Sequence, residues 1–389
     1  MGDPIRVLHA VVNMNRGGAE TLIMNLYRHI DRSRFQFDFL TCKEGVFDAE
    51  IRELGGSIHR IPYVNEAGHF GYLKALEQFF AAHRSYPIVH SHMDKMSGYV
   101  LRAAKRSGVP VRIAHSHNTS SEGGLAAKTY KWAAGKHIPS NATKLLACSV
   151  RAAVWLFKEQ AKRSVIVKNG IDCDRFAFSQ QIRDSVREEL GISCDSFVVG
   201  HVGRFARQKN HSFLIDVFHE LVQSRPDAVL LLAGDGPLRQ ELERKAGSLG
   251  IAGSVKFLGV RSDVHRLLQA MDVMVFPSFH EGLPVTLIEA QGSGLPCLVS
   301  EHITREADMG FGRMAFAGLR QPAKAWAEQA LGMKLSDESR DCSEAIRRSG
   351  YDIRDSAARL QQFYSDQLKF VHTGVMSDET DADRVYSNL

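Results

Sequence analysis

The sequence predicts an α/β protein with two doubly wound parallel sheets. A chain of 389 residues exceeds what one hydrophobic core usually serves. Short β-rich runs alternate with amphipathic stretches, which is typical of a parallel sheet covered on both faces. The alternation pauses at the turn Lys168-Asn169-Gly170 and then starts again. We therefore expect domains over residues 1–170 and 171–352, with ligands bound at the carboxyl ends of the strands, in a cleft between the domains.

The first domain is predicted from seven β-rich runs with helical segments between them. The predicted strands are Ile5–Val12, Phe35–Thr41, Ser57–Ile61, Ile88–His90, Arg112–His115, Leu145–Cys148 and Val165–Val167. The predicted helices are Glu20–His29, Tyr72–His83, Ser97–Arg106 and Arg151–Gln160.

The second domain repeats this pattern with five predicted strands. They are Phe197–Val202, Val229–Ala233, Val255–Leu258, Val273–Phe276 and Cys297–Val299, with helices at His211–Val222, Leu238–Leu249 and Val285–Gln291. A last helix is predicted over residues 353–370, and we expect it to pack back onto the first domain. Residues 372–389 are polar, acidic and without periodicity, which predicts a disordered tail.

Composition favours an ordinary globular protein, with 44% apolar and 24% charged residues. No apolar stretch is long enough to cross a bilayer, and residues 1–12 lack the pattern of a signal peptide. The six cysteines are scattered without a CxxC pair, which is typical of reduced thiols in a cytoplasmic protein.

Charge is distributed unevenly along the chain. Residues 1–170 contain 24 Lys and Arg against 13 Asp and Glu, whereas the remainder contains 25 against 31. A basic half favours an anionic partner, such as a lipid surface or an acidic acceptor. No nucleic-acid-binding module is recognisable, so we expect no nucleic-acid partner.

Two glycine-containing loops follow predicted strands. Gly17 and Gly18 lie between the first strand and a helix, where a backbone approaches a ligand closely and helix N–H groups face an anion. A tight strand-to-helix turn explains the same residues equally well. In the second loop, Arg204 and Lys209 follow a strand end and suit a diphosphate through charge-assisted hydrogen bonds. Asn210 is expected to cap the next helix.

Two carboxylates are separated by eight positions near the end of another predicted strand. Glu281 lies in a loop rich in Gly and Pro, and Glu289 lies about two turns into an apolar helix. A carboxylate among apolar neighbours needs a partner, and the vicinal hydroxyls of a ribose would provide one. The backbone from Gly282 through Leu283 to Pro284 precedes the helix start, where N–H groups bind anions or hydroxyls.

Four histidines follow two further strands. His90 and His92 follow one strand, and His115 and His117 follow another. Spacing of two residues on extended backbone places each pair on one face of its strand. Four imidazoles at neighbouring strand ends have the chemistry of a zinc site, with Asp94 as the nearby carboxylate. A zinc-dependent hydrolase or deacetylase is therefore one alternative.

Taken together, these motifs resemble the retaining glycosyltransferases of family 4, which have the GT-B fold of two facing Rossmann-like domains. The resemblance covers most of the chain. It is carried by GGAE, KNGID, GRFARQKN, LAGDGP, VKFLG, DVMVFPS, and the Glu281/Glu289 pair with its E-x7-E spacing. The segment HSHN at 115–118 is similar to members that build bacterial surface polysaccharides. Two departures are Lys168, where proline is common, and 300–306, where many members are glycine-rich.

The resemblance implies a role for each matching residue. Arg204 and Lys209 would hold the diphosphate of a nucleotide sugar, Glu289 its ribose, and Glu281 the hydroxyls of the transferred sugar. A further set, of backbone groups and histidines, would complete the site: Gly282, Leu283 and Pro284 on the sugar, Gly17 and Gly18 over the diphosphate, and His115 or His117 against the transferred sugar.

The resemblance also implies a mechanism and partners. No metal or other cofactor is implied, because fixed cations stabilise the leaving diphosphate. We expect the donor to be a UDP-sugar, with a GDP-sugar as the second choice. The acceptor is expected to be a lipid-linked saccharide, used by a cytoplasmic enzyme attached peripherally to an anionic membrane through its N-terminal domain. A sugar-nucleotide epimerase or binding protein on the same fold is the second alternative.

Overall fold

The computed structural model describes residues 3–121, 123–333, 340 and 342–373. It divides the chain into two compact units. The first is formed by residues up to Gly170 together with the segment from Ile353 onward, and the second by Ile171–Asp352. The parallel pairing of Ile171 with Asp352 closes the second unit where the chain enters and leaves it.

The N-terminal unit contains a seven-stranded parallel sheet with the order β3-β2-β1-β4-β5-β6-β7. Its strands are β1 Ile5–Ala10, β2 Phe35–Thr41, β3 Ile58–Arg60, β4 Ile88–Ser91, β5 Val111–Ser116, β6 Lys144–Ala147 and β7 Ser164–Ile166. Strand order reverses between β1 and β4, which pair in register so that His9 lies opposite His90. This reversal is where ligands bind in open α/β sheets.

Eight helices belong to this unit within the described residues. They are α1 Gly18–His29, α2 Asp48–Glu53, α3 Val64–Ala82, α4 Ser97–Arg106, α5 Leu125–Gly135, α6 Ile138–Asn141, α7 Val150–Phe157 and, from the other end of the chain, α16 Ile353–Thr373. Helix α16 completes the N-terminal core, where Ile353, Ala357, Leu360 and Tyr364 are buried beside α1 and the strands.

The C-terminal unit contains a six-stranded parallel sheet with the order β10-β9-β8-β11-β12-β13. Its strands are β8 Val198–Val202, β9 Val229–Ala233, β10 Val255–Gly259, β11 Val273–Phe276, β12 Cys297–Ser300 and β13 Met314–Ala317. Here the order reverses between β8 and β11. Strand β13 is an addition to the sequence prediction, since four residues at a sheet edge carry little periodicity.

The helices described in this unit number eight. They are α8 Cys173–Phe176, α9 Gln180–Glu189, α10 His211–Ser224, α11 Arg239–Ser248, α12 Val264–Ala270, α13 Val285–Gly292, α14 Ala323–Gly332 and α15 Ser343–Arg348. No helix among the described residues is both long and apolar enough to span a bilayer.

Two local expectations were wrong. Asn210 stands at the start of α10, but its side chain makes no capping bond, because its backbone is left-handed with φ 55°. The predicted tail begins too early, since α16 continues through Thr373. The rest of the predicted tail, 374–389, lies outside the described residues.

Candidate functional site

Five histidines form a cluster in the N-terminal unit, at the strand-order reversal. His9 comes from β1, His90 from β4 and His115 from β5, while His92 and His117 follow β4 and β5 directly. His92 lies between two neighbours: its Nε2 is 3.0 Å from Nδ1 of His9, and its Nδ1 is 2.8 Å from Nε2 of His117. The three rings form one hydrogen-bonded chain.

A second chain runs beside the first. The Tyr364 hydroxyl is 2.7 Å from Nδ1 of His90, and Nε2 of His90 is 3.1 Å from Nδ1 of His115. The rings of His90 and His115 are stacked with centroids 5.2 Å apart. His115 is almost completely buried, whereas His117 is partly exposed. Of the two predicted sugar-contacting histidines, His117 is therefore the more accessible.

Burial keeps the cluster neutral. Desolvation lowers the pKa of His9 and of His117 to about 3 each, and it lowers the pKa of the other three histidines as well. Desolvation also raises the pKa of the neighbouring Asp94 carboxyl to about 7. At neutral pH the cluster is thus a set of uncharged donors and acceptors.

The zinc alternative conflicts with this hydrogen bonding. His9, His90 and His92, or His92, His115 and His117, place one ligand atom each within 4.8 Å of the others. Both ring nitrogens of His90 and of His92 already bond to neighbouring side chains. A metal ion at either group would therefore have to break imidazole hydrogen bonds that the fold has formed.

The glycine loop of the N-terminal unit leads directly into α1. Gly17 is the N-cap residue, and a Cβ there would lie 2.3 Å from Oε2 of Glu20, whereas one at Gly18 would meet open space. Burial raises the pKa of the Glu20 carboxyl. Gly18 thus leaves free space at the N-terminus of a twelve-residue helix.

Two loops of the C-terminal unit are joined where its strand order reverses. The backbone N–H of Phe279 donates to the Gln208 carbonyl at 2.9 Å, and Nε2 of Gln208 donates to the His280 carbonyl at 2.7 Å. These bonds bring the GRFARQKN loop after β8 against the loop that follows β11. Residues predicted separately for diphosphate and sugar consequently share one site.

Lys209 and Glu281 form the centre of this site. The Lys209 ammonium is 2.8 Å from Oε1 of Glu281 and lies 4.7 Å from the centre of the Phe276 ring. Both side chains are largely buried, whereas Arg204, in the same loop, is exposed. The sequence did not predict this ion pair, because it assigns the two residues to different parts of a ligand.

Glu289 lies on α13, one helix beyond that pair. It is buried, and no hydrogen bond or ion pair reaches its carboxylate from the described part of the chain. Desolvation raises its pKa to about 7, and the positive charge of Arg175 partly opposes the shift. Gly282, Leu283 and Pro284 are buried in the turn before α13, with Pro284 at the N-cap.

Sequence reasoning missed three residues at these sites. His9 lies near the end of the first strand and belongs to no motif, and only its parallel register with His90 brings it into the cluster. Tyr364 lies 274 positions from His90, so no local pattern connects them. Buried His201 donates from Nδ1 to the Val275 carbonyl, 2.9 Å away, beside Lys209.

Two parallel-sheet Rossmann-like units, one with a cationic loop and buried carboxylates at its strand ends, define a GT-B protein. The model of glycosyltransferase family 4 matches residues 16–175, and that of glycosyl transferases group 1 matches residues 182–308. A Bacillus subtilis (strain 168) relative named as the glycosyltransferase EpsF is 38% identical over 92% of this chain and 96% of its own length. The chain therefore belongs to this glycosyltransferase family and is an enzyme of that class.

Other relatives are also glycosyltransferases by name, and one is named for polysaccharide biosynthesis. An Escherichia coli UDP-Gal:alpha-D-GlcNAc-diphosphoundecaprenol alpha-1,3-galactosyltransferase is 33% identical over 55% of this chain and 58% of its own. The Staphylococcus aureus capsular polysaccharide biosynthesis glycosyltransferase CapH is 28% identical over 74% of this chain and 78% of its own.

Solved structures agree on the fold. Anabaena Alr3699/HepE, crystallised with UDP and glucose, superposes with a TM-score of 0.77 at 19% identity, over 93% of this chain and 99% of its own. The lipopolysaccharide glycosyltransferase WaaG superposes with a TM-score of 0.68 at 17% identity, over 98% of each chain. The family and its relatives do not favour the epimerase or the zinc hydrolase.

Proposed function

We propose that this enzyme transfers a sugar, with retention of anomeric configuration, from a UDP-sugar to a hydroxyl of a lipid-linked saccharide during surface-polysaccharide assembly. The C-terminal unit binds the donor, and the N-terminal unit binds the acceptor. The UDP complexes of Alr3699/HepE and the activity in the name of the Escherichia coli relative support the choice of donor and acceptor class.

Buried Glu289 is the observation that carries the proposal. A buried carboxylate without a hydrogen-bond partner is costly, and its raised pKa expresses that cost. Two vicinal ribose hydroxyls would donate to both oxygens and remove the penalty. Lys209 and Arg204 would neutralise the diphosphate. The unit therefore offers a hydrogen-bond acceptor for the ribose and hydrogen-bond donors for the phosphates.

Donor screening tests the proposal first. A ligand that binds only the folded protein raises the melting temperature by mass action, so nucleotides and nucleotide sugars are compared by thermal shift. We expect UDP and one UDP-sugar to stabilise the protein more than the GDP series. Transfer to a synthetic polyprenyl-diphosphate saccharide should then release UDP, and the anomeric coupling in the product decides retention or inversion.

Metal independence is part of the proposal. With Arg204 and Lys209 stabilising the leaving diphosphate, transfer should continue after chelation and dialysis. Loss of transfer on chelation, restored by one stoichiometric zinc ion, would instead support a metal centre at the histidines.

We also propose that the N-terminal unit, which binds the acceptor, carries a membrane-binding surface. On the N-terminal unit Phe70 is 84% exposed, Leu125 83% and Trp132 46%. Helix α5 and its C-cap contribute three lysines (Lys128, Lys131 and Lys136), and Lys136 Nζ lies 3.6 Å from the Trp132 ring centre. Apolar side chains with adjacent cations suit the headgroup layer of an anionic membrane.

Another basic segment of the N-terminal unit, 151–168, contributes less to this surface. Phe157 is buried in the core, and the Trp155 ring is half-buried with the Lys95 ammonium 5.0 Å from its centre. The membrane-facing aromatic residues of the unit are therefore those near α5.

Vesicle sedimentation tests the membrane surface. Binding should rise with the fraction of anionic lipid and fall at high salt, since salt screens surface charge. Replacing Lys128, Lys131 and Lys136 by Gln should weaken it. The matched control replaces the exposed cations Arg244, Arg320 and Lys324 of the C-terminal unit by Gln. Equal loss in both variants, or equal binding to neutral vesicles, would contradict a specific site for anionic lipid at α5.

A further inference from the structure

Tyr364 connects helix α16 to the histidine cluster. Its ring is fully buried against Phe35 and Phe37, with centroids 5.7 and 6.4 Å away. Its hydroxyl is 2.7 Å from Nδ1 of His90, and within the described residues it has no other hydrogen-bond partner. The chain Tyr364–His90–His115 ends at Nε2 of His115, which is buried and has no partner within those residues.

A chain of neutral groups has two proton arrangements. Burial favours the neutral imidazole for His90 and His115, so each ring carries one proton. In the first arrangement Tyr364 donates to Nδ1 of His90, His90 donates from Nε2 to His115, and Nε2 of His115 carries a proton. In the second, His115 donates from Nδ1 to His90, His90 donates from Nδ1 to Tyr364, and Nε2 of His115 carries a lone pair.

The two arrangements differ in the buried groups that they leave without partners. The first leaves one, the Nε2–H of His115. The second leaves two, the lone pair on that nitrogen and the Tyr364 hydroxyl proton, which has no acceptor other than His90 among the described residues. Since each buried unpaired polar group is costly, the first arrangement is favoured.

We propose that Tyr364 is a positioning residue that fixes, through His90, the Nε2–H tautomer of His115. An acceptor oxygen that reaches this buried nitrogen, such as a sugar hydroxyl or a phosphate oxygen, would then meet a hydrogen-bond donor, and His115 does not act as a general base. The consequence for catalysis rests on the proposed function, whereas the tautomer itself does not.

The Tyr364→Phe variant removes the hydroxyl and retains the ring. In full-length protein with ¹⁵N-labelled histidine rings, long-range ¹H–¹⁵N correlation reports which nitrogen of His115 carries the proton, and a His115→Gln spectrum assigns the signal. We expect an Nε2–H signal in the parent protein and a mixture of tautomers in the variant. The kcat of transfer should fall about 3- to 10-fold with little change in the KM for donor, as expected for loss of one hydrogen bond.

A second substitution isolates the relay. In His90→Gln the side-chain amide nitrogen takes the place of Nε2 and can donate to His115 whether or not Tyr364 is present. Tyr364→Phe should therefore lower kcat several-fold in the parent protein and change it little in the His90→Gln background. Tyr27→Phe is the matched control, because its hydroxyl bonds to Leu54 and Gln36 in the same core and not to a histidine.

The outcomes separate the two proposals. An unchanged His115 tautomer in Tyr364→Phe, or an equal loss of kcat in both backgrounds, would overturn the relay. A loss of kcat in Tyr27→Phe as large as in Tyr364→Phe would also overturn it, because core destabilisation would then explain both. Full transfer by His115→Gln would remove His115 from the proposed function, while the spectra would still decide the tautomer.

Discussion

The histidine cluster of the N-terminal unit and the ion pairs of the C-terminal unit bury polar side chains by different chemistry. The N-terminal unit contains neutral imidazoles that bond to one another, whereas the C-terminal unit contains full charges: Lys209 with Glu281, and Asp272 with Arg183 and Arg187. A hydrogen-bonded chain of neutral imidazoles tolerates burial because none of its rings carries a charge that needs a counter-ion. Buried ions, by contrast, are stable only as pairs. We therefore expect substitutions to alter proton position in the first unit and charge balance in the second.

The largest expected effect lies in the Asp272 network. Asp272 accepts from Arg183 at 2.6 Å, from Arg187 at 2.9 Å and from the Val198 backbone N–H at 2.7 Å. Asp272→Ala leaves two buried guanidinium groups without their carboxylate and should lower the free energy of unfolding by about 3–5 kcal/mol. Denaturant titration measures it. Asp227→Ala, which breaks an exposed pair with Arg225, should cost at most about 1 kcal/mol, and equal losses would contradict the argument.

Glu289 should give a pH-dependent effect of the next size. Its folded pKa of about 7 exceeds the ordinary 4.5, so the folded protein holds this proton more tightly than the unfolded chain. Its contribution to stability is therefore present below pH 4.5 and lost as pH rises towards 7. Without nucleotide, Glu289→Gln should raise the melting temperature at pH 8 and change it little near pH 4.5. The corresponding difference in the free energy of unfolding is on the order of 3 kcal/mol. An equal shift at both pH values would show that the carboxyl does not titrate in this way.

Lys209→Ala should lower the affinity for UDP by about 10- to 150-fold. This factor corresponds to the loss of one charged hydrogen bond, about 1.5–3 kcal/mol. Arg204→Ala should act in the same direction. Calorimetry measures both, and added magnesium should not restore affinity. Arg207→Ala is the control, since it removes an exposed cation from the same loop. Affinity that falls equally in all three variants would indicate a general charge effect.

Glu281→Gln should give the smallest change in UDP affinity and sharpens the contrast between the two carboxylates. It frees Lys209 from its ion pair, so affinity should stay within about 2-fold of the parent or rise slightly, while transfer falls. Glu289→Gln should lower the affinity for UDP, since the ribose belongs to the nucleotide. Equal weakening by both variants would contradict this division of roles.

Sequence reasoning predicted the parts of this molecule whose signals are local. Alternating apolar runs gave twelve of the thirteen strands, and strand-end loops indicated Lys209, Glu281 and the histidines. The pairing of Lys209 with Glu281 depends on the neighbouring positions of β8 and β11, which lie more than 70 residues apart. His9 and Tyr364 depend in the same way on parallel register and on the return of α16. Such contacts are set by topology, which no local spacing encodes.

The return of α16 has a consequence for synthesis on the ribosome. All strands of the C-terminal unit lie between Ile171 and Asp352, so its core is available before the chain is finished. The N-terminal unit, although synthesised first, cannot bury Leu360 and Tyr364 until α16 emerges. Nascent chains of this protein must therefore carry an unfinished apolar surface through most of elongation, and the unit that is made first is the last to be completed.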